Sequence, residues 1–142
     1  IVGGDDASDY VAGLNDYARQ LDVYEHIVWA GPCDDMTAVY SALNILCLCS
    51  VSEGFPNVVA EAMSAGLPCV ASNVGDTARL IGDAGWVVTP NDAAALTAAL
   101  RAAMVALDGW DHRRPRNHII ENFSVACLKT RTLDALRPYL VK

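Results

Sequence analysis

The stretch ILCLCSVSEGFPNVVAEAMSAGLPCVAS, residues 45–72, changes its periodicity twice. ILCLC (45–49) is an unbroken apolar run, as expected of a strand covered on both faces. NVVAEAMSAG (57–66) spaces its apolar residues as a helix does, and Gly66 followed by Pro68 closes it. PCVAS (68–72) then begins the next strand. Strand, loop, helix and strand in immediate succession point to a layered α/β fold with a mostly parallel sheet.

The same alternation runs outward in both directions. IVGG (1–4) ends a β-branched run, and residues 9–21 follow with Val11, Leu14, Ala18 and Leu21 at helical spacing. HIVWAG (26–31) reads as a compact strand. Residues 34–43 open on capping aspartates and place Met36, Val39, Tyr40 and Leu43 on one face, with Tyr40 a core residue. Beyond the opening stretch come a short helix at 76–82, a strand at WVV (86–88) and a helix at 92–107 behind Pro90-Asn91-Asp92. Two helices over about 111–141 are broken near Asn122-Phe123-Ser124. The expected fold is a Rossmann-like parallel sheet of about five strands flanked by helices.

Bulk properties narrow the function. A chain of 142 residues fits one domain. No apolar run approaches the roughly 20 residues that cross a bilayer, and IVGGDD is not a signal peptide. IVGG reads instead as the end of a buried strand, cut into from a longer protein. A net charge of −7 argues against a nucleic-acid surface. The charge is uneven: residues 1–100 carry 2 basic and 13 acidic side chains, residues 101–142 carry 8 basic and 4 acidic. The basic end, about 108–142, includes Arg113, Arg114 and Arg116. It reads first as a solvated helical face and second as a contact for an anionic partner or membrane headgroups.

The five cysteines, 33, 47, 49, 69 and 127, form neither a CxxC pair nor a Cys/His cluster. They are expected to be buried small apolar residues in a reducing cytosol, which also argues against glycosylation at Asn122. His26, His112 and His118 share no spacing. Trp29, Trp86 and Trp110 are expected to pack rather than to form a sugar platform.

The loop at the end of ILCLC carries the chemistry. In open parallel sheets, ligands bind beyond the carboxyl ends of the strands. Gly54 admits close backbone approach, and Pro56 stands where a helix start needs no N–H. The N–H groups of Asn57, Val58 and Val59 would then form an anion site at a helix N-terminus. Carboxylates beside a phosphate site suit hydroxyl groups, since each accepts hydrogen bonds from a vicinal diol. Glu61, one turn into the helix, would reach a ribose, and Glu53 would face whatever the phosphate carries. On spacing alone, a solvent-facing Glu61 and a Glu53 that only pairs with the helix dipole remain equally open.

The residues resemble a known family. E-G-F-P-N-V-V-A-E-A-M-S-A-G-L-P-C-V closely matches the E-x7-E motif of the group 1 (family 4) glycosyltransferases, retaining enzymes of the GT-B architecture. HIVWAGP, YSALNILCLCS, SNVGDTARLI and GWVVTPNDAAAL resemble further segments of that family. The resemblance implies one lobe of a GT-B enzyme: the C-terminal, nucleotide-sugar-binding domain over residues 1–142, its first strand missing. By that resemblance Glu53 is the catalytic-site residue touching the donor sugar hydroxyls, and Glu61 binds the ribose. Gly54, Phe55, Pro56, Asn57 and Val58 line sugar and diphosphate, and Gly31, Pro32 and Cys33 sit near the base. The donor is a UDP-, GDP- or ADP-sugar, with no cofactor and no metal.

Asn44 and Cys49 depart from the family pattern, which has aspartate and proline there. The family's diphosphate-neutralising arginine and lysine have no counterpart, since Arg19 lies on an amphipathic helix. The chain is thus expected to be a fragment whose partner is the missing N-terminal lobe of the same protein, with the basic helices bridging back to it. The implied setting is cytoplasmic, at the inner face of the membrane. The alternatives are a non-catalytic nucleotide-sugar-binding or interaction module, and another GT-B activity such as an epimerase or phosphorylase.

Overall fold

A computed structural model describes residues 1–3 and 8–140. The chain divides into two compact units, Ile1–Val39 and Tyr40–Lys142. In the first unit, helix α1 (Ser8–Gln20) is followed by a 3-10 turn at Tyr24–His26. Ala18 is the buried residue of α1, while Leu21 lies past the helix end and is exposed. Leu14, Tyr17, Ala18 and Trp29 help line an apolar groove of about 210 Å³.

Two of the five expected strands differ here. Among the described residues, IVGG and HIVWAG meet at a single parallel bridge, Val2 with Gly31. Ala30 N–H donates to Ile1 O (2.9 Å) and Gly3 N–H to Gly31 O (3.0 Å). A ladder this short orders no continuous strand, and Ile1, Val2 and Val28 are exposed rather than buried. Gly4, the last residue of the first expected strand, lies outside the described residues.

Helix α2 (Met36–Ala42) contains the boundary between the units. The second unit holds the other three expected strands as one parallel sheet in the order β1 (Leu46–Leu48), β2 (Cys69–Ser72), β3 (Trp86–Val88). Leu46 pairs with Cys69 and Val70 with Trp86. Between the strands run α3 (Asn57–Ser64) and α4 (Thr77–Ile81), and after them α5 (Ala93–Ala106), α6 (Arg113–Phe123) and α7 (Val125–Leu140). Every residue of β2 is buried, as a central strand with helices on both faces requires.

One face of the sheet packs on α5: Val70, Ala99 and Ala103 form its core, with Ile45, Trp86, Val88, Leu96 and Leu100 around them. The other face takes α3 and α4, whose Val59, Met63, Leu80 and Ile81 are fully buried. Each such side chain contributes about 1.5–3 kcal/mol. Helix α3 ends as its sequence requires: Gly66 is at φ +88, Leu67 N–H donates to Ala62 O (3.0 Å) and Gly66 N–H to Met63 O (2.9 Å). Trp110, stacked on Trp86 with ring centroids 5.8 Å apart, adds an Nε1–H bond to Gly66 O (3.0 Å).

The cysteines depart from expectation. Cys69 is buried, Cys127 is half-buried, and Cys33, Cys47 and Cys49 are exposed. The pairing of Cys47 with Val70 puts Cys47 on the α5 face. Yet α5 lies mainly over β2 and β3, so the outer part of β1 is left uncovered. An apolar run marks a strand without saying whether it lies at the centre or the edge.

Candidate functional site

The loop Cys49–Pro56 leaves β1 at the carboxyl edge of the sheet and enters α3 directly. Pro56 is buried and extended at φ −75, ψ 91, and its carbonyl accepts from Val59 N–H (3.0 Å) and Ala60 N–H (3.4 Å). The expected anion site is therefore smaller by one donor: Val59 is engaged, and the N–H groups of Asn57 and Val58 have no intrahelical acceptor.

Each glutamate has a hydroxyl partner that the sequence reading missed. Ser50 Oγ donates to Glu53 Oε1 at 2.7 Å, across a separation of three residues. Tyr40 Oη donates to Glu61 Oε2 at 2.7 Å, from a ring only 6% exposed. The ring is a core residue, as its helical position indicated, but its hydroxyl reaches out of the core to the motif. Burial, and next the hydrogen bond to Glu61, push the Tyr40 phenol well above the usual tyrosine range. The group stays a donor at any ordinary pH. A serine three positions before a glutamate was a readable signal for the first pair; nothing local marks the second.

The loop is braced from two further directions. Asp76 N–H, in the turn after β2, donates to Gly54 O (2.9 Å). Gly75 beside it lies so close that a Cβ would stand 2.2 Å from Gly54 O and 2.3 Å from Glu53 O. Phe55 packs at 6.1 Å on Phe123, where α6 gives way to α7, and the Arg79 guanidinium lies 5.2 Å above the Phe123 ring. Gly54 itself faces open space, with nothing within 4 Å of an added Cβ. The second unit thus brings Glu53, Gly54, Phe55, Pro56, Asn57, Val58 and Glu61 together on one loop and helix start. Gly31, Pro32 and Cys33 belong to the first unit, where Gly31 turns at φ +68.

A cavity of about 260 Å³ also opens at this edge, lined by Cys49, Ser72, Val88, Asp92 and Leu96 among others; neither glutamate lines it. Among the described residues, no three His, Cys, Asp or Glu side chains gather as a metal ion would need. No helix among them is long and apolar enough to cross a membrane. Three of the tail arginines form ion pairs among the described residues, Arg113 with Asp111 (3.0 Å), Arg114 with Asp83 (3.3 Å) and Arg137 with Asp134 (3.3 Å).

The fold, a three-stranded parallel sheet between helices, matches that of solved structures. An Anabaena protein crystallised with UDP superposes with a TM-score of 0.83 at 22% identity, over 96% of this chain and 40% of that one. The C-terminal domain of a group 1 family glycosyl transferase from Francisella tularensis superposes at 0.66 and 20% identity, over 83% of this chain and 64% of that one. In sequence, the O-antigen chain mannosyltransferase B of Escherichia coli is 38% identical over 79 residues, 56% of this chain and 20% of that protein. The family described as Glycosyl transferases group 1 matches residues 1–105, and the chain belongs to it. It spans about a fifth of the length of the mannosyltransferase and two fifths of the Anabaena protein.

Proposed function

We propose that this chain is the donor-binding lobe of a retaining glycosyltransferase, and that the longer protein transfers a sugar from a nucleotide-diphosphate-sugar to a glycan, lipid or small-molecule acceptor. The observation that carries this reading is the braced loop between β1 and α3. It presents two carboxylates, each held by a hydroxyl, before and after a helix start whose Asn57 and Val58 N–H groups have no acceptor among the described residues. The diphosphate lies over that helix start, where backbone N–H groups and the helix dipole stabilise it without a metal. Glu61 accepts from the ribose hydroxyls. Glu53 accepts from the donor sugar hydroxyls and orients the anomeric carbon toward the acceptor. Gly54 leaves the backbone bare for close approach, while Phe55 and Pro56 wall the sugar subsite.

Family membership supports the reaction class, and the solved Anabaena protein holds UDP on the same fold. The acceptor site and the cations that neutralise the diphosphate belong to the rest of the longer protein, with α6 and α7 packing back toward it. Such an enzyme works on the cytoplasmic side, at the inner membrane face.

The test is calorimetric titration of the full-length protein with UDP, GDP and ADP, in wild type and Glu61→Ala. One nucleotide should bind, and the variant should weaken it at least tenfold, the loss of a charge-assisted pair of hydrogen bonds. Turnover of the matching sugar nucleotide should give a product whose anomeric configuration, read by proton NMR, equals the donor's. No binding by any of the three would overturn the reading. Binding without turnover, in every acceptor tried, would leave a nucleotide-sugar-binding module and remove the enzyme.

A further inference from the structure

Glu61 is an exposed residue on the outer side of α3, and an exposed glutamate samples many rotamers. Fixing it against a ligand costs that freedom at the moment of binding. In this structure the freedom is already reduced. Tyr40 Oη, on a buried ring of α2 contributed from 21 positions earlier, holds Glu61 Oε2 at 2.7 Å. An ionised carboxylate only accepts, so the phenol must be the donor. Oε1 and the second lone pair of Oε2 remain for a ligand, and two acceptors on one rigid carboxylate are what a vicinal diol needs.

We propose that Tyr40 is a positioning residue for nucleotide recognition: its hydroxyl locks the Glu61 carboxylate in the orientation that reads the two ribose hydroxyls. This rests on the proposed role of Glu61 as the ribose ligand and adds to it the residue that sets ribose selectivity. The phenol is suited to the task because its proton stays on, its ionisation being opposed first by burial and then by the adjacent carboxylate. A lysine in its place would neutralise Glu61, and a water would leave it free to turn.

The experiment compares UDP with 2′-deoxy-UDP, and likewise GDP and ADP with their 2′-deoxy forms, on the full-length protein. Wild type, Tyr40→Phe and Glu61→Ala are titrated side by side. Phenylalanine keeps the buried ring, so a thermal melt within a few degrees of wild type is expected. The wild type should prefer the ribonucleotide. Tyr40→Phe should weaken ribonucleotide binding by roughly three- to tenfold, the worth of one net hydrogen bond, and weaken the 2′-deoxy form, which offers Glu61 only its 3′-hydroxyl, by a smaller factor. The ribose-to-deoxyribose preference therefore shrinks by the ratio of the two losses.

Equal loss for both sugars in Tyr40→Phe would mean that Tyr40 only packs, and no loss for either would mean that it does nothing for the site; either overturns the proposal. If Glu61→Ala abolishes the preference while Tyr40→Phe keeps it, the positioning role alone fails. If Glu61→Ala also keeps it, or no nucleotide binds, the ribose reading fails and this proposal with it.

Discussion

Gly75→Ala is the substitution whose effect the structure defines most sharply. Gly75 stands at φ +52 in the turn after β2. An alanine methyl there would lie 2.2 Å from the Gly54 carbonyl oxygen and 2.3 Å from that of Glu53. Carbon and oxygen ordinarily approach no closer than about 3.3 Å, so the turn and the motif loop must part by about 1 Å. Both obstructing atoms are backbone, and no flexible side chain can swing aside. Parting them also stretches the Asp76 N–H bond to Gly54 O, now 2.9 Å. Left-handed backbone costs an alanine about 1–2 kcal/mol, and overpacking of this kind about 1–3 kcal/mol. The expected destabilisation is about 2–5 kcal/mol, measured by urea unfolding of the full-length protein. The displaced atoms are those proposed to face the donor, and a shift of about 1 Å there can reduce turnover on the order of a hundredfold. Gly109→Ala is the control: Gly109 is at φ +95 with nothing within 4 Å, so it carries backbone strain without the collision. A Gly75→Ala protein no less stable than Gly109→Ala, with its donor binding intact, would refute the bracing argument.

Three other outcomes follow from the same geometry. Gly54→Ala has open space for its methyl and no left-handed backbone, so stability should hold within about 0.5 kcal/mol while nucleotide-sugar affinity falls, read by melting and by titration. Burial raises the Cys69 thiol from its ordinary value of 9.0 to about 12. Its contribution to stability is therefore full below pH 9 and is lost as pH rises from there toward 12, because the unfolded chain ionises first. The melting temperature should fall less steeply over that window in Cys69→Ala, and in native wild type a maleimide should label Cys33, Cys47 and Cys49 while sparing Cys69. Asp92 Oδ1 accepts from Ala95 N–H (2.8 Å) at the start of α5, so Asp92→Ala should cost about 1 kcal/mol in urea unfolding, and Asp92→Ser should restore most of it.

Local order was legible in the sequence because periodicity and punctuation act over a few residues. The apolar runs at 45–49, 68–72 and 86–88 became β1, β2 and β3, and Gly66 and Asp92 fixed the ends of α3 and α5 where turn and cap chemistry put them. The E-G-F-P-N loop was likewise readable, since its glycine, proline and amide each answer a backbone requirement within the loop. Other features needed the chain to close on itself. HIVWAG has the composition of a strand, but its pairing is a single bridge, and hydrogen-bond partners are not written in a segment's own residues. Cys47 and Cys69 read alike in sequence; Cys47 is exposed because α5 lies over β2 and β3 rather than β1, and Cys69 is buried because it points to the other face of the central strand, under α3 and α4.

The functional loop divides along the same line. The sequence by itself determined which residues can bind: two carboxylates, a bare glycine and a helix start. Only the tertiary structure decided how they are held. Tyr40 reaches Glu61 from another helix, Gly75 seats against Glu53 and Gly54 from the next turn, and Phe123 meets Phe55 from the last pair of helices. These contacts join segments that become neighbours only when the sheet sets β1 beside β2 and the helices pack on its faces. Sequence spacing records the chemistry a segment carries, and the fold supplies the neighbours that aim it.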